Sequence, residues 1–180
     1  PTVTVAGNTY APDQQAIDYA ASKGVTFIDE KDGWFLFGED GKFQSAQTGI
    51  GEYLDATRYV ENGHIAWHAG MVADGEDHYY FTGDEEIGGN IMATGDVHVS
   101  RDNSGFGAVI GGIYTFGEDG KLCNYDGITD MADGTKRYYE DAQLMIGAGP
   151  AANVQLLDNA NFSSYKNGKN YRYIGGLAKR

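Results

Sequence analysis

Hydrophobic and polar positions alternate along most of this chain with a period of two, and the alternation stops every few residues at a turn residue. The opening "PTVTVAGNTY" reads this way, as a strand with a turn at Gly7-Asn8. One segment has a different rhythm. In "APDQQAIDYAASKG" the apolar Ala16, Ile17, Ala20 and Ala21 share one helical face, Pro12 and Asp13 suit a start, and Gly24 supplies a stop. From Val25 the period of two returns: "VTFID" leads through "EKDG" to "WFLF", and "GEDG" leads to "KFQSA". Asp32-Gly33, Asp40-Gly41, Asp119-Gly120, Asp126-Gly127 and Asp133-Gly134 are hairpin signals, and Asn62-Gly63 and Asn167-Gly168 fit the same role. Tight hairpin turns need positive φ, which glycine adopts without strain and aspartate or asparagine tolerates. The pattern predicts an all-β chain of short hairpins with one N-terminal helix.

The hairpins are not independent of one another. "FGEDGK" occurs at Phe37–Lys42 and again at Phe116–Lys121, a spacing of 79 residues. The same shift lays "RYVENGHIAWHAG" (Arg58–Gly70) on "RYYEDAQLMIGAG" (Arg137–Gly149) without a gap. Gly33 then falls on Gly112, Phe35 on Tyr114, Phe43 on Leu122 and Ile65 on Leu144. Two separated blocks in one register define an internal repeat. The expected organisation is an N-terminal strand and helix cap over 1–32, a first repeat over 33–111, and a second over 112–180. The second copy departs from the first after Gly149, as capping repeats do.

Composition sharpens this picture. The 180 residues include 27 glycines, 13 tyrosines and 8 phenylalanines, against 3 prolines. A thin hairpin array has no deep core, so most of these aromatics are expected to pack between layers. The net charge of −13 opposes contact with phosphate backbones, so nucleic acid is not an expected partner. No apolar run approaches the roughly 20 residues that span a bilayer, and membrane insertion is not expected. The chain opens at Pro1 without a visible signal peptide, which is read as a processed start.

Candidate chemistry is sparse. His64 and His68 have the i, i+4 spacing of a helical zinc pair, but "IAW" between them lacks a glutamate and the segment reads as extended. Both are read as surface histidines, and no metal or other cofactor is expected. "GDEE" (Gly83–Glu86) bunches three acids in one loop, which reads as a solvated turn rather than as two carboxylates facing a cleft. The single cysteine, Cys123, reads as a small buried hydrophobe on a strand. "GAVIGG" (Gly107–Gly112) precedes a strand, so no helix terminus is at hand to cradle phosphate. No catalytic constellation emerges, and the expectation is a protein that is not an enzyme.

"GWFLFGEDGKF", "GIYTFGEDGKL" and "EDHYYFTGDEE" resemble the Gly-aromatic-x-aromatic hairpins of choline-binding and glucan-binding repeats, the cell-wall-binding modules of secreted Gram-positive surface proteins. The resemblance covers roughly 25–149. It implies an elongated, solenoid-like stack of β-hairpins, an extracellular or cell-surface location, and attachment to cell-wall polysaccharide or another glycan. In such repeats tryptophans and tyrosines of neighbouring hairpins cage a quaternary ammonium. Here the second copy carries Ile113 and Ile146 where the first has Trp34 and Trp67, so a tryptophan cage does not recur. Flat aromatic faces also stack on sugars, and the expected glycan-binding residues are Trp34, Trp67, Tyr79, Tyr80 and Tyr114. The alternative is a structural subunit whose end strands, in "PTVTVAG" and "NYRYIGGLAKR", pair head to tail and self-associate into an extracellular filament or surface layer.

Overall fold

A computed structural model of the chain describes residues 13–24 and 33–145 together with the backbone of four terminal strands. The protein is mostly β, with one helix and several small antiparallel sheets. The chain divides into two compact units, one of residues 1–93 with 101–106 and the other of 94–100 with 107–180.

In the first unit, β1 (Val3–Val5) pairs with β2 (Asn8–Tyr10) as a separate two-stranded sheet. Asn8 therefore lies within a strand, opposite Val5, rather than in the turn that the sequence suggested. The helix α1 (Gln14–Ser22) starts where the pattern placed it, because Asp13 accepts hydrogen bonds from the Gln15 and Ala16 backbone N–H groups. The other Asp13 carboxylate oxygen accepts from Phe43 N at 3.3 Å, which ties the helix cap to the β-hairpins. The helix buries Ala16 and Ala20, while Tyr19 replaces the exposed Ala21 at the contact, its ring 5.9 Å from Phe43 and 6.0 Å from His64.

"VTFID" and Asn167-Gly168 lie outside the described residues. Of "WFLF" only β3 (Trp34–Phe35) is a strand, paired with β6 (His64–Ile65). β4 (Gly49–Tyr53) and β5 (Ala56–Val60) form a hairpin around Leu54 and Asp55, whose φ values of 53° and 58° are left-handed without a glycine. β7 (Gly70–Asp74), β8 (Asp77–Gly83) and β9 (Asn90–Met92) make a three-stranded sheet. Its core is Ala69, Val72 and Phe81, with Ile50, Tyr59, Tyr79 and Met92 against them.

The second unit holds a five-stranded sheet in the order β10-β11-β14-β13-β12: Gly95–His98, Ile113–Phe116, Gln143–Leu144, Lys136–Glu140 and Gly127–Asp130. β15 (Arg172–Ile174) pairs with β16 (Leu177–Lys179). Local pairings of the first unit recur here at the 79-residue shift. Phe37 opposite Phe43 becomes Phe116 opposite Leu122, and Trp34 opposite Ile65 becomes Ile113 opposite Leu144. In both "FGEDGK" turns the aspartate accepts from the lysine N–H two residues on, Asp40 from Lys42 and Asp119 from Lys121. Asn62-Gly63 is matched by Asp141-Ala142, and all four residues have positive φ.

Candidate functional site: two tryptophans on one buried-arginine turn

The turn between β8 and β9, residues 83–90, is closed by Asp84 N donating to Gly89 O at 2.8 Å and Gly88 N donating to Asp84 O at 2.9 Å. Both tryptophans rest on it. The Trp67 indole covers Gly83 so closely that a Cβ there would lie 2.5 Å from its Cε2. The Trp34 Nε1–H donates to Ile87 O at 3.0 Å, and a Cβ on Gly89 would lie 3.1 Å from Trp34 Cδ1. Each tryptophan is half-buried, so part of each residue stays open to solvent. Ile87 is 38 % exposed beside them.

Beneath the turn lies Arg58, 1 % exposed. Its Nε donates to Tyr53 O at 2.8 Å and its Nη2 to Leu54 O at 3.2 Å. Its Nη1 donates to Gly88 O at 3.2 Å and Asn90 O at 2.8 Å, and Nη2 pairs with Asp84 Oδ2 at 2.9 Å. One guanidinium thereby joins the β4–β5 turn to the 83–90 turn. Asp84 Oδ1 accepts from Glu86 N and Ile87 N. Burial favours the neutral acid, but the Ile87 N–H, the Arg58 guanidinium and the Glu86 N–H together hold the Asp84 carboxyl below its ordinary range. Fully buried Asn90 completes the network: its Oδ1 accepts from Tyr59 N, and its Nδ2 donates to Tyr59 O and Ala66 O.

This corrects the reading of "GDEE" as a solvated turn. Glu85 and Glu86 are exposed, but Asp84 is buried because its charge is met by Arg58 and its oxygens by backbone donors. His64 is likewise no surface residue. It is 5 % exposed and stacked on Phe35, with ring centroids 4.4 Å apart. His68 is part-buried, its Nε2 3.1 Å from the Tyr80 hydroxyl, and burial together with the Arg101 charge pushes its pKa down. Cys123 is half-buried and follows an isolated bridge rather than lying in a strand. Among the described residues no three His, Cys, Asp or Glu side chains gather as a metal ligand set.

Of the residues expected to meet a glycan, Trp34 and Trp67 both touch the 83–90 turn, Trp34 at Ile87 and Gly89 and Trp67 at Gly83. Tyr79 is half-buried against the apolar core. Tyr80 and Tyr114 are each 2 % exposed, so neither offers an open ring face. The Tyr114 hydroxyl accepts from Val109 N at 2.9 Å. Arg58, Asp84 and Asn90 have no sequence motif of their own. The one signal for Arg58 was its match to Arg137 in the repeat.

Residues 133–180 match the model of a domain of unknown function, DUF1883. No curated protein matches the chain. Among solved structures it is similar to CbpJ from Streptococcus pneumoniae TIGR4, at 18 % identity and a TM-score of 0.47, over 84 % of this chain and 41 % of that one. It is similar to CbpF in complex with ipratropium at 17 % identity and a TM-score of 0.46, over 86 % of this chain and 40 % of that one. A further match is choline binding protein F from Streptococcus pneumoniae in the presence of a peptidoglycan analogue, at 19 % identity and a TM-score of 0.30, over 86 % and 58 %. The chain thus spans less than half the length of the first two. Among the described residues no helix is long and apolar enough to cross a membrane.

Proposed function

We propose that the chain is a non-catalytic extracellular module that attaches to cell-wall polysaccharide or another glycan through Trp34 and Trp67. One observation carries the reading: two half-buried tryptophans rest on a single turn, Trp34 by its Nε1 hydrogen bond to Ile87 O and Trp67 packed over Gly83. Rings fixed in advance lose little entropy when a sugar face stacks on them. The pairings that recur at a shift of 79 support a further reading, that 33–111 and 112–180 are two copies of one unit in a solenoid-like hairpin array capped by 1–32.

The test is co-sedimentation of the purified chain with insoluble Gram-positive cell walls, chitin and dextran beads. Binding to at least one of them should be lost in the Trp34→Ala/Trp67→Ala double variant. A wild-type chain that stays in the supernatant with all three would sink the reading.

A further inference from the structure

Arg58 and its counterpart Arg137 occupy equivalent repeat positions but do different things. Arg137 is only partly buried, and its Nη1 pairs with Asp96 on β10 at 2.7 Å. Arg58 reaches into the 83–90 turn at three residues, Asp84, Gly88 and Asn90. From Asp84 the connection runs on without a gap. Asp84 Oδ1 accepts from Ile87 N, and the carbonyl of that same Ile87 accepts from Trp34 Nε1. The second copy has the arginine but carries Ile113 at the position of Trp34. Among the described residues the clamp is seen around Arg58, in the unit that carries both tryptophans.

We propose that Arg58 and Asp84 are positioning residues of the tryptophan site, setting the 83–90 turn so that Trp34 and Trp67 are presented together. Neither residue reaches the ligand, because Arg58 is 1 % and Asp84 8 % exposed. Both tryptophans lie in the first unit, and the site belongs to that unit. This deepens the glycan reading and rests on it for its ligand.

The experiment uses the full chain as wild type, Asp84→Asn, Arg58→Lys and, as a control, Arg137→Lys. Acrylamide quenching of the two tryptophans reads their setting without any ligand, and co-sedimentation with purified Gram-positive cell walls reads binding. Circular dichroism identifies temperatures at which each variant is folded. The expected result is stronger quenching and about tenfold weaker wall binding in Asp84→Asn and Arg58→Lys, with no change in Arg137→Lys; tenfold corresponds to about 1.4 kcal/mol.

Lowered melting temperature with unchanged quenching and binding would overturn the proposal, since the pair would then be merely structural. Unfolding of both variants would overturn it too, because the clamp would then be needed for the fold itself. If the wild type ignores cell walls, chitin and dextran alike while quenching still changes in the variants, the glycan reading fails and the positioning role stands.

Discussion

At Gly83 the missing side chain is replaced by an indole. A Cβ there would stand 2.5 Å from Trp67 Cε2 and 2.7 Å from its Nε1, closer than carbon atoms approach. Gly83→Ala is therefore expected to displace Trp67, at a cost of about 1–3 kcal/mol of overpacking strain. Its emission should shift, and a thermal melt followed by tryptophan fluorescence should fall by several degrees; an unchanged spectrum would show that the ring has room to give. His68 offers a second check at this scale. Burial, and then the Arg101 charge, disfavour its imidazolium, so its folded pKa lies below the unfolded value of 6.5. Its contribution to stability is fully present above that value and is lost as pH falls through the folded pKa. Taking the wild type from pH 7 to pH 5 should lower its melting temperature more than it lowers that of His68→Gln, and equal drops would contradict this. Both histidine environments were invisible in the sequence, because spacing reveals a ligand pair but not the Phe35 face or Tyr80 hydroxyl that the fold brings to each ring.

Among elements, the β5–turn–β6 and β13–turn–β14 hairpins make the cleanest comparison, since they share register but differ in their arginines. Arg58→Ala leaves Asp84 buried without its cation and removes the donors to Tyr53, Leu54, Gly88 and Asn90. Its expected cost is about 3–5 kcal/mol. Arg137→Ala breaks a partly exposed pair and is expected to cost about 1 kcal/mol or less. Urea melts of the two variants check the contrast, and equal costs would mean that the 83–90 turn does not depend on the guanidinium. Asp84 adds an acid dependence of definite sign. Its carboxyl is held below the ordinary value, so its contribution is present above the unfolded pKa of 3.8 and is lost as pH falls through the folded one.

The helix and some hairpins were legible because their determinants are local: Asp13 as a cap, Gly24 beyond the end, and the turns at Asp40-Gly41, Asn62-Gly63, Asp119-Gly120 and Asp133-Gly134. Asp126-Gly127 is no such turn, since Gly127 opens β12 opposite Tyr139. Leu54-Asp55 was not legible, since leucine does not advertise positive φ, no glycine follows the aspartate, and the turn is held from outside by Arg58. Asp141-Ala142 was readable only through the repeat that sets it on Asn62-Gly63. Asp84 looked solvated because its partner belongs to another hairpin.

For the molecule as a whole, both tryptophans of the chain fall in the first unit, which makes tryptophan fluorescence a reporter of that unit alone. Most aromatics were expected to pack between layers, with a few left to meet a sugar, and the structure divides them by depth. Tyr80, Tyr114, Tyr138 and Tyr139 are buried, whereas Trp34 and Trp67, both in the first unit, are half-buried. Sequence patterning identified the aromatic class but not which faces stay open, because burial depends on contacts between hairpins distant in the chain. The net charge of −13 has a consequence at this scale as well. Anionic polysaccharides should be bound less well than neutral ones, and the difference should narrow as salt rises, since screening shortens the reach of the repulsion. Affinity electrophoresis in gels containing neutral or anionic polysaccharide, at low and high salt, measures this directly. Preference for the anionic polymer would contradict it.

The most direct test of the account is quantitative sedimentation of wild type, Trp34→Ala, Trp67→Ala and the double variant with purified Gram-positive cell walls. Saturable binding of the wild type, weakened by either single change and abolished in the double variant with folding intact, is the result predicted. Binding that survives loss of both tryptophans would contradict it and move the site elsewhere in the chain.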